Sequence, residues 1–203
     1  MKKLLAIAIA ALILPGGLGL LNSEPQRQAP AQTRTLTTRT NANALKTNHA
    51  KAVILDRVQH ELALLPYYGV FDWIEAQVVS NDAVLLRGYV IRPTTKSDAE
   101  YRIKKIESVG KVINQIEVLP LSPNDDRLRR SLYRAIYNFN SPLFRYATQS
   151  VPSIHIIVNR GRVTLKGVAA NKGDAQLAYI RARGVPGSFA VSNELVIEGQ
   201  EPR

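Results

Sequence analysis

Residues able to do chemistry are sparse in this chain, and their spacing does not assemble a catalytic centre. Cysteine is absent, which removes disulfides, thiolate metal sites and thiol nucleophiles together. The three histidines, His49, His60 and His155, fall in a polar N-terminal stretch, on a helical pattern and inside an alternating apolar run. No two of them have the spacing of metal ligands, and no glycine-rich phosphate loop or nucleophile elbow occurs. His155, between Ile154 and Ile156, reads as an ordinary strand residue. Acid pairs such as Asp98 and Glu100 sit on a charged helical stretch, where a solvated face is the default. The chain therefore reads as non-enzymatic, with no cofactor and no metal site.

What remains is charge. A formal net charge of +11 and a pI near 10.1 point to polyanions: anionic lipid headgroups, nucleic acid or acidic glycans. The excess is uneven, with 8 basic against 9 acidic residues over 53–119 (net −1) and 11 against 5 over 125–198 (net +6). A helix expected over 125–139 concentrates it. At 100° per residue, Leu128, Leu132, Ala135, Ile136 and Phe139 fill one side. Arg130, Tyr133, Arg134 and Tyr137 fill the other, flanked by Arg127 and Arg129. Guanidinium groups pair with phosphate and phenol rings suit headgroup depth, so Arg127, Arg130, Tyr133, Arg134 and Tyr137 are the candidate lipid-binding residues. The competing reading is a solvated helix whose arginines keep the protein soluble and whose tyrosines cover neighbouring loops.

The N-terminus bears on which polyanion is met. Lys2 and Lys3 precede an uncharged run from Leu4 to Leu21 broken by Pro15, Gly16, Gly17 and Gly19, the layout of a secretory signal over 1–22. Cleavage near Gly19 is the expectation, and an uncleaved membrane anchor the alternative. The protein should then be periplasmic or secreted. Nucleic acid becomes an in vitro ligand at most, salt-sensitive and non-specific. Residues 23–51, rich in Gln, Thr, Pro, Ala and Asn, have no hydrophobic period and read as a disordered tether.

The elements that position these residues come in two copies. Val84-Leu85-Leu86-Arg87-Gly88-Tyr89-Val90 matches Val163-Thr164-Leu165-Lys166-Gly167-Val168-Ala169 at an offset of 79 (163 − 84). The same offset carries Val112-x-Asn114-x-Ile116-x-Val118 onto Val191-x-Asn193-x-Leu195-x-Ile197, without gaps from residue 78 to 118. Upstream, Asp56-Arg57 matches Asp126-Arg127 at an offset of 70, so the second copy holds extra residues within 138–152. Hydrophobic periods give helix, strand, strand, helix, strand at 52–65, 74–80, 83–90, 96–108 and 112–118, then at 125–139, 153–159, 162–169, 172–184 and 191–197. Asn81-Asp82 and Arg160-Gly161 suit tight turns. Leu121 to Asn124 is the linker, with Asn124 or Asp125 as helix cap. The fold class is α+β: two tandem αββαβ modules over 52–120 and 124–198, each a three-stranded sheet with helices on one face.

Gly88 and Gly167 are expected to permit a bulge or close helix approach, and Asn114 and Asn193 to satisfy local backbone groups. The aromatic stretch Pro66 to Trp73 is expected to lie as a lid over the first module's small core, the alternative being an interaction loop or a membrane-inserting tip.

This order of elements, with the L-x-G strand and the closing V-x-N-x-[IL]-x-[VI] strand, resembles the BON domain of bacterial osmotically inducible and nodulation-related proteins, over roughly 53–119 and 125–198. The Gly-Val pair usual before the last strand is Ser108-Val109 in one copy and Gly187-Ser188 in the other. The resemblance implies a periplasmic protein of the cell envelope, linked to osmotic stress. It also implies association with anionic phospholipid or other envelope components, and no catalytic residues. The alternative reading is an interaction module that docks to another envelope protein through its sheet edge or aromatic stretch.

Overall fold

The computed structural model describes residues 32–80 and 82–199, with side chains from Thr47 onward. The signal expected over 1–22, the first part of the tether and Asn81 of the expected turn lie outside the described residues. From Asn41 onward the chain is one compact unit, and it holds both modules.

The first module comprises helix α1 (Gln32–Ala63), strands β1 (Trp73–Val78) and β2 (Ala83–Val90), helix α2 (Pro93–Lys104) and strand β3 (Lys111–Val118). The second repeats the order with α3 (Pro123–Ile136), β4 (Ile154–Asn159), β5 (Arg162–Ala169), α5 (Lys172–Arg183) and β6 (Ala190–Ile197), and adds a short α4 (Phe144–Ala147). Each module has its own sheet, ordered β1-β2-β3 and β4-β5-β6. The hairpin strands pair antiparallel and the last strand joins in parallel after its crossover helix. Helix α1 begins twenty residues before the expected boundary, within the stretch read as a tether. No proline or glycine occurs from residue 31 to 65, so nothing in the backbone stops the helix from propagating.

Inside the modules the repeat holds at the level of single bonds. The Asn114 amide donates to Lys96 O (3.1 Å) and its Oδ1 accepts from Ile116 N (3.1 Å). Asn193 does the same with Ala175 O (3.2 Å) and Leu195 N (3.2 Å). Each asparagine ties its edge strand to the crossover helix. The glycines serve a close approach by the neighbouring strand, not by a helix. A Cβ on Gly88 (φ 132°) would lie 1.9 Å from Trp73 O, and one on Gly167 (φ 105°) 2.0 Å from Ser153 O.

The ungapped register is shorter than the sequence suggests. Ile74 pairs with Gly88, but Ile154 pairs with Gly167, so the first strands are offset by 80 (154 − 74) and the second by 79 (167 − 88). The difference is one residue in the turn. Arg160 (φ 51°) and Gly161 (φ 75°) close β4–β5 as a two-residue loop, whereas Val79 N reaches Ala83 O (2.9 Å) across a longer one.

The two cores are joined by the aromatic stretch. Ile54, Val58, Leu62, Leu86, Ala99, Ile103 and Ile116 are among the residues filling the first core. Val70, however, is buried in the second core with Leu132, Ile136, Ile156 and Leu165, and Phe71 packs against it. The backbone follows, since Ile156 N on the edge strand β4 donates to Val70 O at 2.7 Å. The stretch thus covers both cores: Tyr68 packs against the first module's core, as expected of a lid, and Val70 and Phe71 against the second. Asp72 holds its shape, accepting from Gly69 N (3.1 Å) and Ile91 N (2.8 Å). His155 lies in strand β4, as expected, and packs against this stretch. Only 4% exposed, it lies 5.0 Å from the Trp73 ring and 5.7 Å from Tyr68, and its Nδ1 donates to Gly69 O at 3.2 Å.

The inserted segment of the second module is anchored as well. Leu143 and Tyr146 are buried in the core. Tyr146 donates to Asp174 Oδ2 (2.5 Å) and accepts from Ala170 N (2.9 Å), with Arg145 paired to the same carboxylate.

Candidate functional site

The cationic face is built on α3. Ser122, not Asn124 or Asp125, caps it: its Oγ accepts from Asp125 N at 3.2 Å, and Pro123 occupies the first turn, where a missing N–H costs nothing. Asp125 and Asp126 add favourable charge at the N-terminus. Asp125 is buried, and its carboxylate accepts from Arg160 N (2.8 Å) and Gly161 N (2.9 Å). The helix start is thereby fixed to the β4–β5 turn.

Leu128, Leu132 and Ile136 face the core, which sends Arg127, Arg130 and Arg134 to the solvent side. All three are exposed. Arg127 reaches Asn124 Oδ1, while Arg130 and Arg134 join none of the ion pairs among the described residues. Their guanidinium groups remain available to a ligand.

Four side chains depart from the expected face. Tyr137 is 5% exposed and donates to Ile154 O at 2.5 Å; burial pushes its pKa far up. It cannot be a lipid contact. Helix α3 ends at Ile136, and Tyr137 leaves helical geometry (φ −98°, ψ 34°), so the 100° projection fails there. Phe139, expected in the core, is 79% exposed for the same reason; its ring stacks edge-on against Phe144 at 5.2 Å. Arg129 is buried, bonded to Asp126 (2.6 Å) and Val158 O (2.7 Å). Tyr133 lies at the border of the face, with 6.3 Å between its ring and Phe71 and 5.1 Å between it and Tyr137.

The first module offers no counterpart, because the corresponding positions are His60, Ala63, Leu64 and Tyr67. Gly88, Asn114, Gly167 and Asn193 lie in the sheets and serve the backbone, away from this face. Among the described residues no group of His, Cys, Asp and Glu could hold a metal ion, and no helix is long and apolar enough to cross a membrane.

A repeated αββαβ module with glycine-permitted hairpins defines a pair of small α+β domains. The BON domain family model matches residues 51–120 and 142–199, more than half of the chain, and the chain belongs to that family. Helix α3 stands between the two matched stretches. The comparison with curated proteins found no match. Among solved structures, similarity is found to CdsD, a structural protein of the type III secretion system of Chlamydia trachomatis. It is 12% identical over 70% of this chain and 92% of that one, with a TM-score of 0.28. The C-terminal domain of CdsD is also 12% identical, over 68% and 96%, with a TM-score of 0.24.

Proposed function

We propose that this protein is a non-catalytic envelope protein whose second module docks onto anionic phospholipid surfaces through Arg127, Arg130 and Arg134, with Tyr133 at their border. The observation that carries this reading is the pair Arg130 and Arg134. Both are exposed on one helical arc and unpaired among the described residues, and positions of the first module that repeat this helix lack the charge. Each basic residue near an anionic bilayer contributes about 1 kcal/mol, so three give weak docking that salt reverses. The export layout of the N-terminus supports an envelope location.

A protein partner bound at a sheet edge or at the aromatic stretch has less support. The aromatic stretch is engaged between the modules, and on the edge strands the N–H groups of Ile116 and Leu195 are taken by Asn114 and Asn193. Co-sedimentation with neutral and anionic vesicles across a salt series tests the proposal. Binding restricted to anionic vesicles and lost as salt rises is the expected result; equal binding to both, or binding indifferent to salt, refutes it.

A further inference from the structure

Phe189 precedes β6 and is 77% exposed, although a phenyl ring belongs in a core. Its backbone has a clear task, since Phe189 N donates to Gly161 O at 2.8 Å and pins the α5–β6 loop to the hairpin turn. The ring has none. In the first module the equivalent residue is Gly110 (189 − 79), whose N–H makes the same bond to Asp82 O at 2.8 Å. The fold therefore needs the amide at this position and not the side chain.

The surroundings differ between the modules in the same direction. Where the first module has Asp82 and Ala83 beside Gly110, the second has Gly161 and Arg162 beside Phe189. The Arg162 guanidinium lies 5.1 Å from the Phe189 ring centroid, and Arg160 and Arg162 are both exposed. Arg127 and Ser131 of α3 line one shallow depression together with Arg160, Gly161 and Phe189. The ring thus shares a surface with the first arginine of the α3 row. Cations around an exposed aromatic ring on a pinned loop match a bilayer interface, where the charges meet phosphate and the ring enters the acyl boundary.

We propose that Phe189 is the apolar anchor of the membrane contact, inserting below the headgroups while the arginines hold the lipid phosphates. This rests on the reading of α3 as the docking face, and it adds a component of binding that salt does not screen. The absence of cysteine allows a direct test on the full chain. An environment-sensitive fluorophore is attached to Phe189→Cys and, as control, to Tyr101→Cys on α2. Each is mixed with phosphatidylglycerol-containing vesicles with and without brominated acyl chains.

The expected result is a blue shift and bromine quenching at position 189 alone. Phe189→Ala should bind anionic vesicles about tenfold more weakly with an unchanged salt dependence, and an unaltered denaturation midpoint shows that it is folded. A label at 189 that stays in water while the wild type binds, or a Phe189→Ala variant with undiminished affinity, overturns the anchor and leaves the arginine docking standing. Failure of the wild type to bind anionic vesicles at any salt overturns both.

Discussion

Acid should weaken this protein through one histidine, His155. Burial pushes its pKa down to about 4, while its neutral Nδ1 donates to Gly69 O across the interface between the modules. In the unfolded chain the same group titrates near ~6.5. Because the folded value is the lower one, the unfolded state takes up the proton first as pH falls. The contribution of the neutral ring is complete above about pH 6.5 and is lost progressively towards pH 4. A difference of about 2.5 pH units at 1.36 kcal/mol each gives a total near 3 kcal/mol, of which about 2 is gone by pH 5. That is a large part of the ~5–15 kcal/mol that holds a small protein together.

Other acids near the interface titrate differently. Asp72 has a pKa raised by burial, so its protonation in the folded state opposes the loss. Glu75 has a pKa lowered first by the hydrogen bond from Trp73 and further by Lys166, and it adds to the loss only at lower pH, where it takes up its proton. Urea denaturation between pH 7 and 5, followed by the fluorescence of Trp73, the only tryptophan, isolates the histidine. The wild type should lose about 2 kcal/mol over that range, and His155→Gln should be nearly flat. A variant with the same pH slope as the wild type refutes the reasoning.

Three further outcomes are expected. Gly167→Ala should cost more than about 2 kcal/mol in denaturant unfolding, because φ is 105° and the new Cβ would sit 2.0 Å from Ser153 O. Tyr137→Phe removes the buried bond to Ile154 O and should lower stability by about 1–2 kcal/mol while leaving vesicle affinity unchanged, since the hydroxyl points inward. Asn193→Ala uncovers Leu195 N on an edge strand and should promote self-association in sedimentation velocity, as unblocked edges do.

Much of the fold was legible because its signals are local. Alternation along β2 and β5, the Arg160-Gly161 turn and the paired glycines and asparagines each constrain only their own neighbourhood, and the repeat states all but the turn twice. The opposite holds for Val70 and Phe71. An apolar stretch beside a strand announces burial but does not say in which core, and these two entered the core of the other module. The arginine row was legible from helical period alone. Tyr137 and Phe139 were misplaced because the projection was carried past Ile136, where the helix stops. Phe189 gave no signal as a contact residue, since an aromatic ahead of an apolar strand reads as the strand's first core residue. The early start of α1 was hidden by polar composition, although the missing prolines and glycines could have revealed it.

The most direct test of the central claim is the affinity of Arg130→Glu/Arg134→Glu for anionic vesicles at low salt, beside the wild type. Removing two favourable contributions of about 1 kcal/mol each should weaken binding at least ~30-fold, with no change in the denaturation midpoint beyond that of two surface substitutions. Undiminished binding by the reversed variant would contradict the account.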